Sequence, residues 1–345
     1  MQIINLIVKT VLFMNYVWSS DNMKNPLYIT SHGILTRKDN TLYFINENDK
    51  KQLPIHSISE INCFGKVSLK SGASSFLMKE GIVVNFFNQY GFYEGSLYPK
   101  IKLNSGIIVV KQSEHYLNNM KREYLAKEFV EGIKHNILTI LKYYSKKGKK
   151  LEDYIPSIEK EMIKGDISQI MSSEGRIWNN FYQSFNIILK KFPFNKREIR
   201  PPKDEINSLI SFGNSLLYTT VLSELYQTYL HPSVSFLHEP SERRFSLSLD
   251  FADIFKPIIV DRTIFKIVNN NMINKKHFNY DVGCLLNEKG KQIFISEYQK
   301  KLETTIMHKT LNKKVSYKYL IRLEGYKLIK HLLNDKKYES FKMWW

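Results

Sequence analysis

The feature that most constrains the fold is a change of hydrophobic period near residue 113. From Leu27 to about Pro99, short apolar or alternating runs such as LYFI, ISEINCF and GIVVNFF are separated by turn signals such as KDN and NQYG. That pattern is typical of short β-strands joined by tight turns. Beyond residue 113, apolar residues recur at three- and four-residue steps, which is the period of an amphipathic helix. The two patterns predict an α+β chain, with a small β-rich N-terminal domain followed by a larger all-α domain.

These patterns divide the chain into four stretches. We expect an apolar extension over 1–22, the β-rich domain over 23–100, a linker over 101–112 and the helical domain over 113–345. Inside the β-rich domain, NQYGFYEGSLYP predicts a hairpin with its turn near Tyr90 and Gly91. After a first long helix that includes KREYLAKEFVEGIKHNILTILKYY, the helical period predicts further helices over 166–191, 203–230, 249–268, 291–310 and 313–334.

The N-terminal extension has two interpretations. Residues 3–18, IINLIVKTVLFMNYVW, are apolar enough for a signal peptide or a short anchor. However, Lys9 interrupts the run, no A-x-A-like cleavage site follows, and the stretch is short for a membrane span. Met23 begins MKNPLYITSHG, which has the character of a natural start. We therefore favour an over-extended start site, with a membrane-associating N-terminal helix as the alternative, and expect no stable membrane association.

The composition points to a polyanionic partner. The chain has 51 lysines and arginines against 33 aspartates and glutamates, a formal charge of +18. Nucleic acid is the first candidate partner and an anionic membrane surface the second, although most of these lysines could simply be solvated. Two cysteines make neither a disulfide framework nor a thiolate metal site. Such cysteine usage is typical of a reduced, cytoplasmic protein, and we expect that location.

One carboxylate interrupts an apolar helical stripe. Glu174 lies at the centre of the stripe formed by GDISQIMSSEGRIWNNFYQSF, residues 165–185. A carboxylate on a buried face is costly unless it is paired with a cation or binds a metal ion. An ion pair with an arginine such as Arg176, Arg197 or Arg200 explains Glu174 as well as a functional role does.

A second acidic cluster lies in LHEPSERRFSLSLDFADIFKP, residues 237–257. His238 precedes Asp250 and Asp253, and a helix beginning just before these aspartates would place both on one face. A lone histidine, or an acid in a first helical turn, has an ordinary structural explanation. Asp253 is harder to explain in that way, because it stands among apolar residues. Together with Glu174, these residues form a hard oxygen and nitrogen ligand set that suits Mg²⁺ or Mn²⁺.

Four basic residues near these acids in the sequence are candidate DNA contacts, namely Lys256, Arg243, Arg244 and Arg176. The lysine is placed to offer its ammonium group to a phosphate beside a metal ion. The two loop arginines can also be a solvated charge pair. Pro257 follows the lysine directly and should kink or restart the helix, because proline cannot donate a backbone hydrogen bond.

Five segments make the chain resemble a known family: LYITSHGILTRKDNTLYF, GASSFLMKEGIVVNFFNQYGFYEGSLYP, SEGRIW, RPPKDEINSLISFGNSLLYT and FLHEPSERRFSLSLDFADIFKPIIVDR. Their order and spacing resemble the CRISPR-associated endonuclease/integrase of spacer acquisition, the Cas1 family, over nearly the whole chain after Met23. The resemblance implies a catalytic helical domain and an Mg²⁺ or Mn²⁺ site. Its implied ligands are Glu174, His238 and Asp253, with Asp250 as a neighbouring catalytic acid and Lys256 as a DNA contact.

The resemblance also implies partners and a reaction. It implies a homodimer joined largely through the N-terminal domains, a small Cas2-type partner, and double-stranded DNA as prespacer and CRISPR repeat. The implied reaction is attack of a prespacer 3′-hydroxyl on a phosphodiester of the repeat, without a covalent protein intermediate. Two alternatives remain on the residues themselves: a generic metal-dependent nuclease of DNA repair, and a non-catalytic basic scaffold that only holds DNA.

Overall fold

The computed structural model describes residues 24–100, 105–198, 201–240 and 245–344. They form two compact units that divide between Asn104 and Ser105. The expectations for the extension over 1–22, including its apolar run and the start at Met23, lie outside the described residues. In the part of the chain that the structure describes, no helix has both the length and the apolar character needed to cross a membrane.

In the described residues, the first unit is built from two four-stranded sheets, one α-helix and a short 3-10 helix over Ile55–Ser57. Its elements between residues 24 and 100 are β1 Asn25–Ile29, β2 Gly33–Lys38, β3 Thr41–Ile45, β4 Lys50–Leu53, β5 Ile58–Cys63, β6 Val67–Leu69, α1 Ser71–Lys79, β7 Val83–Phe87 and β8 Tyr93–Leu97. One sheet has the order β1-β5-β7-β8 and the other the order β4-β3-β2-β6. Apolar side chains from both sheets and from α1, including Leu35, Ile61 and Leu77, form one core.

The strand pairing differs in part from the predicted tight-turn pattern. β7 and β8 pair antiparallel around a turn in which Gly91 has φ +84° and donates its amide N–H to Asn88 O at 2.9 Å, so the predicted hairpin is confirmed. However, β1 pairs with β5, β5 with β7, and β2 with β6 in parallel. Parallel neighbours cannot be joined by a tight turn. The chain therefore crosses over between them, and α1 lies in the connection between β5 and β7.

The second unit is mostly helical. Its helices are α2 Gly106–Leu117, α3 Asn119–Lys146, α4 Tyr154–Glu159, α5 Ile167–Gln183, α6 Phe185–Ile188, α7 Glu205–Leu225, α8 Ser246–Lys256, α9 Arg262–Asn269, α10 Glu288–Glu303 and α11 Tyr317–Leu332. Two antiparallel pairs accompany them: β9 Phe278–Asn279 with β10 Leu285–Leu286, and β11 Thr305–His308 with β12 Lys313–Ser316. The β-rich first unit and helical second unit confirm the predicted fold class.

Several predicted boundaries differ from those in the structure. The linker predicted over 101–112 is helical from Gly106 onward. Residues 305–308 and 313–316 form a hairpin, although both were predicted to be helical. The helix predicted to begin at 249 begins three residues earlier, at Ser246. The two strands, TIMH and KKVS, have four residues each, and such short segments carry too little hydrophobic periodicity to be distinguished from the ends of the flanking helices.

The centre of the second unit is α7, which is buried along almost its whole length. α8 packs against α7 and α3, while α5 packs against α3. Gly213 lets α7 approach its neighbours closely, because a Cβ atom there would lie 2.5 Å from Val260 Cγ1. The helix of α8 continues at Pro257 as a π-helical turn over Pro257–Asp261 before α9 begins. The predicted disturbance at Pro257 is therefore confirmed.

Candidate active site

A buried carboxylate fixes the loop that carries His238. Both side-chain oxygens of Asp250, in α8, accept backbone N–H groups from the loop between α7 and α8. The donors are Phe236 and Leu237 to Oδ2, at 2.8 and 3.1 Å, and His238 to Oδ1, at 3.0 Å. Asp250 is fully buried, so these hydrogen bonds replace the water that the carboxylate lost. The three bonds place the histidine over the first turns of α8.

The ring of His238 lies between the two aspartates. Its Nδ1 is 2.9 Å from Asp250 Oδ1, and its Nε2 is 3.9 Å from Asp253 Oδ2. Burial by itself would lower the pKa of His238. The hydrogen bond and charge of Asp250, with the charges of Asp253 and Glu174, outweigh burial and raise the pKa to about 9. Because Nδ1 is engaged, Nε2 is the nitrogen that faces the other acids.

Asp253 lies one helical turn after Asp250 and is nearly fully buried. Its Oδ1 accepts no hydrogen bond of normal geometry, but the Lys256 ammonium group forms an ion pair with that oxygen. A buried carboxylate oxygen needs a positive partner, and here that partner is a side chain from the same helix. The ammonium group of Lys256 is thus the cation that balances the negative charge of Asp253.

Glu174, the third acid of the candidate site, lies on α5. A capping box formed by Asp166 and Gln169 starts this helix, which fixes the register of the residues that follow. Burial and the charge of Asp253 raise the pKa of Glu174 to about 7, although His238 and Lys256 act in the opposite direction. The carboxylate thus belongs to the same electrostatic cluster, although Glu174 lies more than sixty residues before His238 in sequence.

The chemistry of the donor set suits a divalent cation, although the present arrangement of the side chains does not form a closed site. Glu174 and Asp253 offer hard oxygen atoms, and His238 offers Nε2 while a carboxylate holds its other ring nitrogen. Histidine ligands in metal proteins are commonly oriented in that way. Within the described ranges, no group of three or more His, Cys, Asp or Glu side chains is arranged to hold a metal ion. The ammonium group of Lys256 pairs with Oδ1 of Asp253, whereas Oδ2 is the oxygen that lies 3.9 Å from His238 Nε2.

The arginines considered in the sequence either have partners other than Glu174 or lie outside the described residues. Arg176 is exposed and pairs with Glu161, with Nη2 2.7 Å from Oε1, and so it does not neutralise Glu174. Arg197 donates to the side chains of Asn207 and Ser211, both at 2.9 Å. The loop arginines over 243–244 and the arginine at position 200 lie outside the described residues. The ion-pair explanation of Glu174 through either described arginine is therefore wrong.

One contact of this site was not predicted. The indole N–H of Trp178 donates to Glu174 Oε1 at 3.0 Å. In the sequence, Trp178 was only one member of the apolar stripe. Its position four residues after the glutamate was the available signal, because side chains at i and i+4 are neighbours on a helix.

The family can now be stated from comparison with known proteins. The family model described as CRISPR associated protein Cas1 matches residues 27–300. The chain belongs to the Cas1 family. This confirms the resemblance drawn from the five sequence segments, and the match contains Glu174, His238, Asp250, Asp253 and Lys256.

Several Cas1 proteins match the chain over most of its length. It is 50% identical over 325 residues to CRISPR-associated protein Cas1 1 of Methanobrevibacter ruminantium, covering 93% of this chain and 99% of that relative. It is 47% identical over 330 residues to CRISPR-associated endonuclease Cas1 of Clostridium perfringens, covering 94% and 100%. The solved structure of a Cas1 protein from Thermotoga maritima has a TM-score of 0.83 and 39% identity, covering 92% and 99%.

Two more distant solved structures share the fold of these Cas1 proteins. A casposase bound to its integration product has a TM-score of 0.81 and 20% identity, covering 92% of this chain and 93% of that chain. A Cas6-RT-Cas1–Cas2 complex has a TM-score of 0.78 and 18% identity, covering 93% of this chain and 36% of that chain. At these identities the likeness concerns the fold alone.

Proposed function

We propose that this Cas1 protein is a divalent-metal-dependent DNA endonuclease and integrase of CRISPR adaptation. The observation that carries the proposal is the convergence of Glu174, His238 and Asp253 beside Lys256 in a chain of formal charge +18. Membership of a family whose relatives bear the name endonuclease supports a nuclease. The fold shared with a casposase bound to its integration product agrees with strand transfer as the reaction.

Each residue has a distinct proposed role. Glu174, His238 and Asp253 would hold Mg²⁺ or Mn²⁺, and Asp250 would keep the histidine ring in position rather than bind the ion. A bound divalent ion would polarise the phosphate and lower the pKa of the attacking hydroxyl. Lys256, which pairs with Asp253 from one helical turn away, would offer its ammonium group to a phosphate oxygen.

The proposed reaction is a transesterification. The 3′-oxygen of a prespacer strand forms a bond to a phosphorus atom of the repeat, and the bond from that phosphorus to the departing 3′-oxygen breaks. The proton lost by the attacking hydroxyl is balanced by the proton gained by the departing oxygen. One phosphodiester replaces another, so the step needs no nucleoside triphosphate and no nucleophilic side chain. This agrees with a site that contains acids, a histidine and a lysine.

The proposed partners are double-stranded DNA, a second copy of this chain and a Cas2-type protein. The excess of positive charge supports DNA, because lysine and arginine release condensed counterions when they contact phosphates. A fold neighbour solved within a Cas6-RT-Cas1–Cas2 complex supports the Cas2-type partner. The homodimer rests on the family resemblance.

The decisive experiment supplies prespacer duplex, a supercoiled repeat-array plasmid, the Cas2-type partner and Mn²⁺. We expect covalent strand-transfer products from the wild type and at least a hundredfold less from Glu174→Ala, His238→Ala and Asp253→Ala. Asn180→Ala serves as the matched control, because Asn180 lies on the same helix and donates to Arg176 O within it. Fragments without joined products would favour the repair nuclease, and full activity in all three folded variants would favour the scaffold.

A further inference from the structure

Trp178 contacts both an acidic and a basic residue of the candidate site. Its indole N–H donates to Glu174 Oε1 at 3.0 Å, and the Nζ atom of Lys256 lies 5.7 Å from the centroid of a Trp178 ring. Tyr182, one turn further along α5, stacks on the indole with centroids 5.4 Å apart and planes inclined by 27°. The tryptophan is thus held by its own helix while it touches a residue of α5 and a residue of α8.

We propose that Trp178 is a positioning residue of the metal site. Its indole N–H group fixes the orientation of the Glu174 carboxylate, and its ring provides a second contact for the Lys256 ammonium group beside Asp253. This inference rests on the proposed function, because it concerns the side chains assigned there to the metal and the phosphate.

The hydrogen bond to Glu174 determines which carboxylate oxygen is available. A glutamate side chain has three rotatable bonds, and an unrestrained one loses conformational entropy when it binds a cation. The indole N–H restrains one oxygen in advance and leaves the other for the ion. Removal of comparable outer hydrogen bonds in metal proteins typically weakens metal binding by about 10- to 100-fold.

The indole ring acts on Lys256 in a different way. A divalent ion bound at the Asp253 carboxylate would repel the ammonium group that pairs with it, and so would weaken the ion pair of Lys256. The electron-rich face of tryptophan attracts an ammonium group and lies within reach of Nζ. The ring therefore offers Lys256 a second contact when its pairing with Asp253 weakens.

The test measures Mn²⁺ binding by the metal-free full-length protein, using electron paramagnetic resonance of the free ion. Trp178→Phe keeps an aromatic ring but removes the N–H group, and we expect Mn²⁺ affinity to fall about tenfold. Trp344→Phe is the matched control, because Trp344 packs near Phe341 and His308 instead of Glu174. We expect wild-type affinity from this control, and midpoints of urea unfolding for both variants close to that of the wild type.

Trp178→Leu separates the two roles. Saturating Mn²⁺ should restore strand transfer in Trp178→Phe, which retains a ring for Lys256, but only partly in Trp178→Leu. Unchanged Mn²⁺ affinity in Trp178→Phe would overturn the role of the N–H group, and equal rescue of both variants would overturn the role of the ring. If the wild type bound Mn²⁺ but performed no strand transfer, the proposed function would fail while the affinity comparison still tested the N–H group.

Discussion

Asp250 and Asp253 are chemically identical residues one helical turn apart, but their surroundings give them different roles. Asp250 accepts three backbone N–H groups and faces the Nδ1 atom of His238, so both of its oxygens are engaged inside the protein. Asp253 has a buried oxygen, Oδ1, whose charge is balanced by the ammonium group of Lys256. Asp253 can therefore exchange the ammonium group for another cation, whereas Asp250 has no oxygen available for one.

This difference predicts how stability depends on pH in the metal-free protein. The pKa of His238 is raised from 6.5 to about 9. The protonated ring therefore stabilises the fold fully below pH 6.5, and this contribution is lost as the pH rises through 9. We expect the free energy of unfolding to fall by up to about 3 kcal/mol over that interval.

Asp250→Asn provides the control for this prediction, measured by urea unfolding in the presence of EDTA. The variant lacks the charge that raises the histidine pKa, so its stability should change much less between pH 6.5 and 9. Glu174, whose pKa is raised to about 7, contributes mainly at lower pH, as its stabilising protonated form is lost between about pH 4.5 and 7. Parallel curves for wild type and Asp250→Asn would contradict the assignment.

At the scale of elements, the site depends on α3, against which both α5 and α8 pack. α8 carries both aspartates, α7 packs beside it, and α5 brings Glu174. On α7, a Cβ atom at position 213 would lie 2.5 Å from Val260 Cγ1 and 2.7 Å from Phe294 Cζ. On α5, position 175 has open space at the same point. Gly213 is thus required for close packing of helices, whereas position 175 has no steric requirement for glycine.

We therefore expect opposite effects from the same substitution at these two glycines. Gly213→Ala should destabilise the helical unit by about 1–3 kcal/mol, because overpacking forces neighbouring atoms apart. Gly175→Ala should stabilise it by about 0.5–1 kcal/mol, because alanine restricts the unfolded chain and fits the helix without a clash. Urea unfolding followed by helical circular dichroism measures both. A stabilised Gly213→Ala variant would show that α7 can move away from Val260 without cost.

At the scale of the whole molecule, the sequence predicted the order of the two units because hydrophobic period reflects local geometry directly. It did not predict the parallel pairing of β1, β5 and β7, since a strand's neighbours are set by long-range contacts. It pointed to Glu174, His238 and Asp253 through residue chemistry and family resemblance. The bond from Trp178 to Glu174 and the ion pair of Lys256 were missed, because side-chain direction depends on packing rather than on spacing alone.

The buried side chain of Asn136 joins the C-terminal segment to two helices of the second unit. The side chain of Asn136, in α3, donates to Ile254 O at 3.0 Å and Phe341 O at 3.1 Å, and accepts from Met343 N at 2.8 Å. One amide thus joins α3, the helix that carries both aspartates, and the last residues of the described chain. Because Asn136 is fully buried, water cannot replace these bonds.

Asn136→Ala should accordingly destabilise the helical unit by about 3 kcal/mol, since three buried backbone groups would lose their partner. Asn180→Ala is the matched control, because Asn180 makes one local bond to Arg176 O within its own helix. Its effect should remain within about 0.5 kcal/mol. Thermal and urea unfolding measure the difference, and equal stability of the two variants would show that the C-terminal segment contributes little.

The π-helical turn over Pro257–Asp261 sets the angular relation between the helices on either side of it. Such a turn contains one residue more than an α-helical path would need, and each residue of an α-helix advances the chain by about 100°. Removing one residue from this turn would leave an ordinary helix in which the acidic face of α8 and the packing face of α9 keep their relative directions. Removing one residue from α8 itself would turn those faces away from each other. A one-residue deletion inside the turn should therefore disturb the relative directions of α8 and α9 less than a deletion within α8.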